Sequence, residues 1–207
     1  MPKGSPQRTA ARKEEIINAC EQLYQTMSFK EITLKEIGSV TSFSRPSIYN
    51  YFQTKEEIFL ALFEREYDRW NEDLTVILNE NDVLSTAQLA DCIAKSLEGR
   101  KLLLKLLSMN TYDMEANSRQ ELLTSFKNSY GRSLQLIQML LEKFCPDKSA
   151  GDIQNFIYVF FPFMFGIYPY AEVTEKQRAA MEKAGISYTY QTAYELTCNC
   201  LIHLLGA

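Results

Sequence analysis

The stretch Thr33–Phe52, TLKEIGSVTSFSRPSIYNYF, decides how this chain is read. Its spacing predicts two short helices, over 34–41 and 45–51, flanking Ser42-Phe43-Ser44, the proportions of a helix-turn-helix. Ile37 and Val40 from the first helix, Phe43 from the turn, and Ile48 with Phe52 from the second are placed to pack inward. The outer face of the second helix then carries Arg45, Ser47, Tyr49, Asn50 and Tyr51. Lys and Glu dominate ordinary solvated faces. Tyr, Ser and Asn instead make uncharged phosphate contacts, and Arg or Asn can read guanine or adenine edges, so this face points to a nucleic-acid groove. Pro46 fits the first turn of a helix, where its missing N–H is not needed, and stiffens the approach.

Upstream, residues 1–13 form a basic arm with Lys3, Arg8, Arg12 and Lys13 and no acid. Apolar residues then recur at Ile16, Cys20, Leu23 and Met27, with Ile17 and Tyr24 widening the stripe, which predicts an amphipathic helix over 9–27. Further helix starts are marked by capping-box pairs: Thr33/Glu36, Thr54/Glu57, Ser85/Gln88, Ser118/Glu121 and Thr174/Gln177. The remaining helices are expected over 55–79, 86–98, 100–109, 118–144, 149–168, 174–184 and 188–205. No run alternates polar and apolar residues, and Gly and Pro number only 14 together, too few for many short strands. The expectation is an all-α chain: a three-helix head over 1–54, then a larger helical bundle over 55–207.

These residues resemble the tetracycline-repressor (TetR) family of bacterial transcription regulators. The likeness runs from Ala11 to about Phe63, through Ile16-Ile17-x-Ala19, Phe29-x-x-Ile32-Thr33-Leu34-x-x-Ile37, Ser44-x-x-Ser47-Ile48-Tyr49-x-Tyr51-Phe52 and Lys55-Glu56-Glu57-Ile58. The resemblance implies that Thr33, Tyr49, Tyr51 and Lys55 touch phosphates, and that Ser44, Arg45, Ser47 and Asn50 stand at recognition positions beside Pro46. The chain departs from the family at the turn, where Thr41-Ser42-Phe43 replaces the usual Ala-Gly-Val. Ser42 would be strained in a left-handed conformation that Gly adopts freely. Asn50 stands where the family commonly has a His, so a neutral hydrogen-bonding contact is expected.

The formal net charge of −4 excludes a uniformly basic nucleic-acid coat, but charge is unevenly spread. Residues 1–53 hold seven basic and five acidic side chains, and 54–207 hold 15 and 21. With this small positive excess in the head, DNA binding is expected to depend strongly on salt. The five cysteines are scattered, without Cys-x-x-Cys, and the single His203 has no acidic or nucleophilic partner at helical spacing. No metal, cofactor or catalytic residue is expected. The polar N-terminus lacks the apolar run of a secretory signal, which predicts a cytoplasmic protein. Ile153–Ala171 holds 19 residues without a charge, close to the ~20 of a membrane span, but Gln154, Asn155, Pro162, Pro169 and three tyrosines favour a buried helix.

That segment is apolar nearly all round: Ile153, Phe156, Ile157, Phe160, Phe161 and Met164 are read as half of a dimer interface. The last helix supplies the other half through Tyr194, Leu201, Leu204 and Leu205, since family dimers form by a four-helix contact between late helices. A two-fold axis sets two recognition helices about one DNA turn, ~34 Å, apart, so the partner is an inverted repeat in double-stranded DNA. In the family the bundle encloses an effector cavity. Phe126 and Tyr130, with Met109, Tyr112, Phe163 and Tyr168 facing them, are its candidate lining here, suited to a largely apolar ligand. The sequence therefore reads as a homodimeric DNA-binding regulator, a repressor released by a small molecule. The alternative is a small helical enzyme or carrier using the apolar bundle, which no Gly-rich phosphate loop, Gly-x-Ser-x-Gly or His pair supports.

Overall fold

The structure, a computed structural model, describes residues 5–42, 44–109 and 111–206, apart from the side chains of Arg45 and Thr111. These residues form eleven α-helices and no strand: α1 Pro6–Thr26, α2 Leu34–Ser39, α3 Arg45–Ile48, α4 Lys55–Glu80, α5 Thr86–Glu98, α6 Lys101–Leu107, α7 Thr111–Ala116, α8 Gln120–Phe144, α9 Ala150–Ala171, α10 Glu175–Lys183 and α11 Ala193–Leu205. The all-α reading holds, with local corrections. The basic arm is helical from Pro6, because the Ser5 hydroxyl accepts the Arg8 N–H and Pro6 occupies the first turn; Lys3 lies outside the described residues. Ser85/Gln88 forms a complete capping box, as do two unanticipated pairs, Ser149/Asp152 and Thr192/Glu195. Ser118/Glu121 does not: the first turn of α8 bonds to the Arg119 carbonyl instead. The helix expected over 188–205 starts only at Ala193, after Gly185 leaves α10 at φ 68°.

The chain divides into two compact units. The first contains residues 1–65 and 110–128, the second 66–109 and 129–207. The first unit thus runs past the expected boundary at 54 and takes in a distant segment. Ile16, Cys20, Tyr24, Ile32, Ile37, Ile48, Phe52, Ile58 and Phe59 form its interior, each at most 4% exposed. Phe59 meets the rings of Tyr24 and Phe29 edge-on at 5.1 and 4.8 Å. Arg65 on α4 reaches Glu14, Asn18 and Glu21 on α1, so those two helices are joined by charge as well as apolar packing.

In the second unit α11 packs on α5 and α9, and α6 packs on α9. Trp70 is fully buried, edge-on to Phe161 at 6.1 Å, and Tyr130 meets Phe161 and Tyr67 at 5.7 and 5.6 Å. Three buried polar groups satisfy one another beside these rings: Asn71 Nδ2 donates to the Ser129 carbonyl at 2.9 Å, and Ser133 Oγ to Asn71 Oδ1 at 2.7 Å. No single helix among the described residues is long and apolar enough to cross a membrane.

The residues expected at the interface and the pocket differ in burial. Ile153, Phe156, Phe160, Phe161 and Met164 are buried, as are Leu201 and Leu205 of α11. Ile157 and Leu204 are half-buried, and Tyr194 donates to Asp91 of α5 at 2.8 Å. The reason is geometric: with apolar residues nearly all round α9, its own bundle claims one side, and the outward side is Tyr158, Val159, Pro162, Phe165 and Tyr170. The six pocket candidates are placed as follows. Tyr112 is 81% exposed. Phe126 is buried against Phe63 at 5.0 Å, and Met109 is half-buried. Tyr130 belongs to the ring cluster, and Phe163 and Tyr168 line separate cavities of about 420 and 230 Å³.

Candidate nucleic-acid interface

α2 starts at Leu34 because Thr33 caps it: its hydroxyl accepts the Lys35 N–H at 3.2 Å and donates to the Glu36 carboxylate. That bond holds Glu36 below the usual carboxylate range. Leu34 and Ile37 anchor the helix inward, whereas Val40, expected inside, is 42% exposed. The turn that follows is held from α1. Glu15 accepts the Ser42 N–H at 2.6 Å, and Arg12 Nη1 donates to Ser42 Oγ at 2.7 Å and to Glu15 at 3.2 Å. Bonds from the Ser42 hydroxyl and amide, in that order, lower the Glu15 pKa. Only Gly185 and Gly206 among the described residues have positive φ, so the chain makes this turn without the glycine the family favours. Phe43 lies outside the described residues.

α3 is a four-residue helix with Ser44 at its N-cap and Pro46 in its first turn. It is shorter than the expected 45–51 because Asn50 N–H and Tyr51 N–H bond three residues back, to Ser47 and Ile48, which tightens the last turn. Ile48 and Phe52, at most 1% exposed, form its anchor. Ser44, Pro46, Tyr49 and Asn50 are exposed, Ser47 and Tyr51 are half-buried, and the Ser44 and Ser47 hydroxyls lie 3.2 Å apart. Of the expected recognition residues, Ser44 and Asn50 are thus exposed and Ser47 half-buried, and the side chain of Arg45 lies outside the described set. Lys55 is placed differently from what the family resemblance implies. Its Nζ donates to the carbonyls of Phe29 and Ile32 at 2.7 and 3.1 Å and stands 4.2 Å from the Phe29 ring centroid, which closes the α1–α2 connection. Arg12 is likewise occupied with the turn, while Arg8, Lys30 and Lys35 are exposed.

Arg119 is the residue the sequence reading missed. It lies 62 residues beyond Glu57, and its guanidinium is bidentate to that carboxylate, Nε to Oε1 at 2.7 Å and Nη2 to Oε2 at 2.9 Å. Nη2 also donates to the Tyr51 carbonyl at 3.0 Å. Burial pushes the Glu57 pKa up, but the bonds from Arg119 and the Gln53 amide outweigh it and hold the group below its ordinary value of 4.5. The only hint in the sequence was the Ser/Glu pair around it, which turned out not to cap α8.

Two family models cover this architecture. The tetR family of bacterial regulatory proteins matches residues 16–62, and the tetracyclin repressor-like C-terminal domain matches 64–206. The chain belongs to the TetR family. Among curated relatives, an HTH-type transcriptional repressor of Mycobacterium tuberculosis is 27% identical over 108 residues, covering 49% of this chain and 57% of that protein. The repressor AcnR of Corynebacterium diphtheriae is 26% identical over 110 residues, covering 50% and 56%. The chain thus spans little more than half the length of these relatives. Two solved TetR-fold structures match almost throughout. The fatty acid degradation regulator FadR of Bacillus halodurans has a TM-score of 0.61 and 16% identity, covering 99% of this chain and 97% of that one. FadR of Bacillus subtilis, in complex with stearoyl-CoA, has a TM-score of 0.61 and 16% identity, covering 93% and 97%. At such identities these two show a shared fold.

Proposed function

We propose that this TetR-family chain is a transcriptional repressor that binds an inverted-repeat operator as a homodimer and is released by a small, largely apolar effector. The observation that carries this reading is the outward edge of α3. Pro46 in α3 and Ser44, Tyr49 and Asn50 at its ends are presented to solvent, while Ile48 is buried beneath them. Such an edge suits a major groove, where hydroxyl, amide and phenol groups meet phosphates and base edges. Family membership and the names of the relatives favour a regulator over an enzyme.

The dimer reading moves to the outward face of α9. Tyr158, Val159, Phe165 and Tyr170 are 67%, 51%, 40% and 58% exposed on a helix with no charge after Asp152, a surface suited to a second copy. For the effector, the cavity of about 420 Å³ lined by Phe163, Ile167, Tyr170, Tyr188 and Leu196 has the apolar lining required. FadR of Bacillus subtilis and of Thermus thermophilus were solved with stearoyl-CoA and lauroyl-CoA, so acyl chains are the first ligands to try. The test of the DNA reading is a mobility shift on duplexes flanking the protein's own gene. Tyr49→Ala should weaken the shift at least tenfold with helicity unchanged, about the cost of one lost contact; an equal shift by wild type and variant would refute the recognition edge.

A further inference from the structure

The compact unit that contains the helix-turn-helix also contains residues 110–128, and the link between them is polar and specific. Three groups between Tyr51 and Thr54, where α3 passes into α4, are tied to the segment 117–119. The Tyr51 carbonyl accepts from Arg119 Nη2 at 3.0 Å, and the Thr54 hydroxyl donates to the Asn117 carbonyl at 2.9 Å. The Gln53 N–H donates at 2.7 Å to Glu57, which is 1% exposed and clasped by Arg119 through Nε, Nη2 and the Arg119 amide. A guanidinium suits this place because its planar fork serves both carboxylate oxygens while leaving a donor for the carbonyl, which a single ammonium cannot do. Tyr51, half-buried, directly follows the exposed Tyr49 and Asn50. Its carbonyl is therefore a handle on the side chains that would face DNA.

We infer that Arg119 is a positioning residue for DNA reading: by holding Tyr51 and Glu57 together it sets the angle at which the end of α3 is presented. The inference rests on the DNA-binding reading above. It separates two quantities that an ordinary structural salt bridge would move together. Phosphate attraction depends on the cations that reach phosphates, and Arg119 is instead committed to Glu57 and the Tyr51 carbonyl, whereas discrimination between sequences depends on where Tyr49, Asn50 and Tyr51 point.

The test begins with duplexes enriched from a random pool by the wild-type protein. Anisotropy then compares an enriched duplex with a scrambled one of equal composition, over a range of salt. The variants are Arg119→Ala, Arg119→Lys and the double replacement Glu57→Met with Arg119→Met. The double variant guards against unfolding, since an apolar pair of similar volume is tolerated where a lone buried carboxylate is not. Each variant should lose about tenfold on the enriched duplex, with scrambled-duplex affinity and salt slope unchanged, and Arg119→Lys should fail to rescue. A folded double variant with wild-type discrimination would overturn the inference, as would an equal loss on both duplexes. Failure of the wild type to enrich any duplex would instead strike the DNA reading itself, and the positioning role with it.

Discussion

Ile48 is the residue on which α3, the proposed recognition helix, depends, and replacing it by Ala gives a quantitative expectation. α3 has four residues, while isolated helices below ~12–15 residues are marginal in water. Its position therefore comes from burial of Ile48, 0% exposed, and Phe52, 1% exposed. Ile→Ala deletes three carbons, about 2.4 kcal/mol of transfer energy at ~0.8 kcal/mol per group. The residual cavity raises the expected loss to roughly 3–4 kcal/mol. Ile48→Val deletes one carbon and should cost about 1 kcal/mol, whereas Ser47→Ala on the outer side should stay within about 0.5 kcal/mol of wild type. Urea titrations followed by far-UV circular dichroism measure all three, with the emission of Trp70, the only tryptophan, reporting the second unit in the same samples. Operator binding should disappear in Ile48→Ala. The reasoning is refuted if Ile48→Ala proves no less stable than Ser47→Ala, because α3 would then be held by something other than its buried side.

Tyr158→Glu combined with Phe165→Glu should convert a dimer to a folded monomer in sedimentation velocity, while Phe160→Ala, on the buried side of α9, should lower the melting temperature and leave the dimer intact; a persistent dimer in the first case removes the outward face from the interface. Glu57 and Glu15 have folded pKa values below their unfolded ones, so their stabilisation is complete above the ordinary carboxylate value of 4.5 and is lost as pH falls through the lowered folded values. Glu57→Gln should accordingly flatten the decline in melting temperature below roughly pH 5, and an unchanged slope would count against the Arg119 clasp. Cys20 and Cys145 are buried and their thiol pKa values are raised by burial. A thiol reagent should therefore modify them only on unfolding, after the half-buried Cys92, Cys198 and Cys200 have reacted, and early labelling of Cys20 would contradict the packing of the head.

The head was legible because its signals are local. The Thr33 cap, the Pro46 start and the inward Ile37, Ile48 and Phe52 all act within a few residues, and the structure repeats them. What escaped the sequence was direction and distance. α9 is apolar on nearly every side, so periodicity could not say that Phe156 and Phe160 face inward and Tyr158 and Val159 outward. Lys55 is a cation at the start of a helix next to the proposed DNA face, yet two backbone carbonyls and the Phe29 ring claim it. The pairing of Arg119 with Glu57 spans 62 residues and carries no periodic signature. The Ser118/Glu121 pair there was a capping pattern that the chain does not use, since the Arg119 carbonyl begins α8.

The central claim is that two copies of this chain present the α3 edge to successive major grooves. Enrichment of random duplexes by the full chain, followed by sequencing and by measuring protomers bound per duplex, tests it most directly. The account predicts an inverted repeat with half-sites about one helical turn apart, two protomers per duplex, affinity that falls steeply with salt, and loss of enrichment with Asn50→Ala. Enrichment of no sequence, or equal binding of all duplexes by wild type and Asn50→Ala, would contradict it.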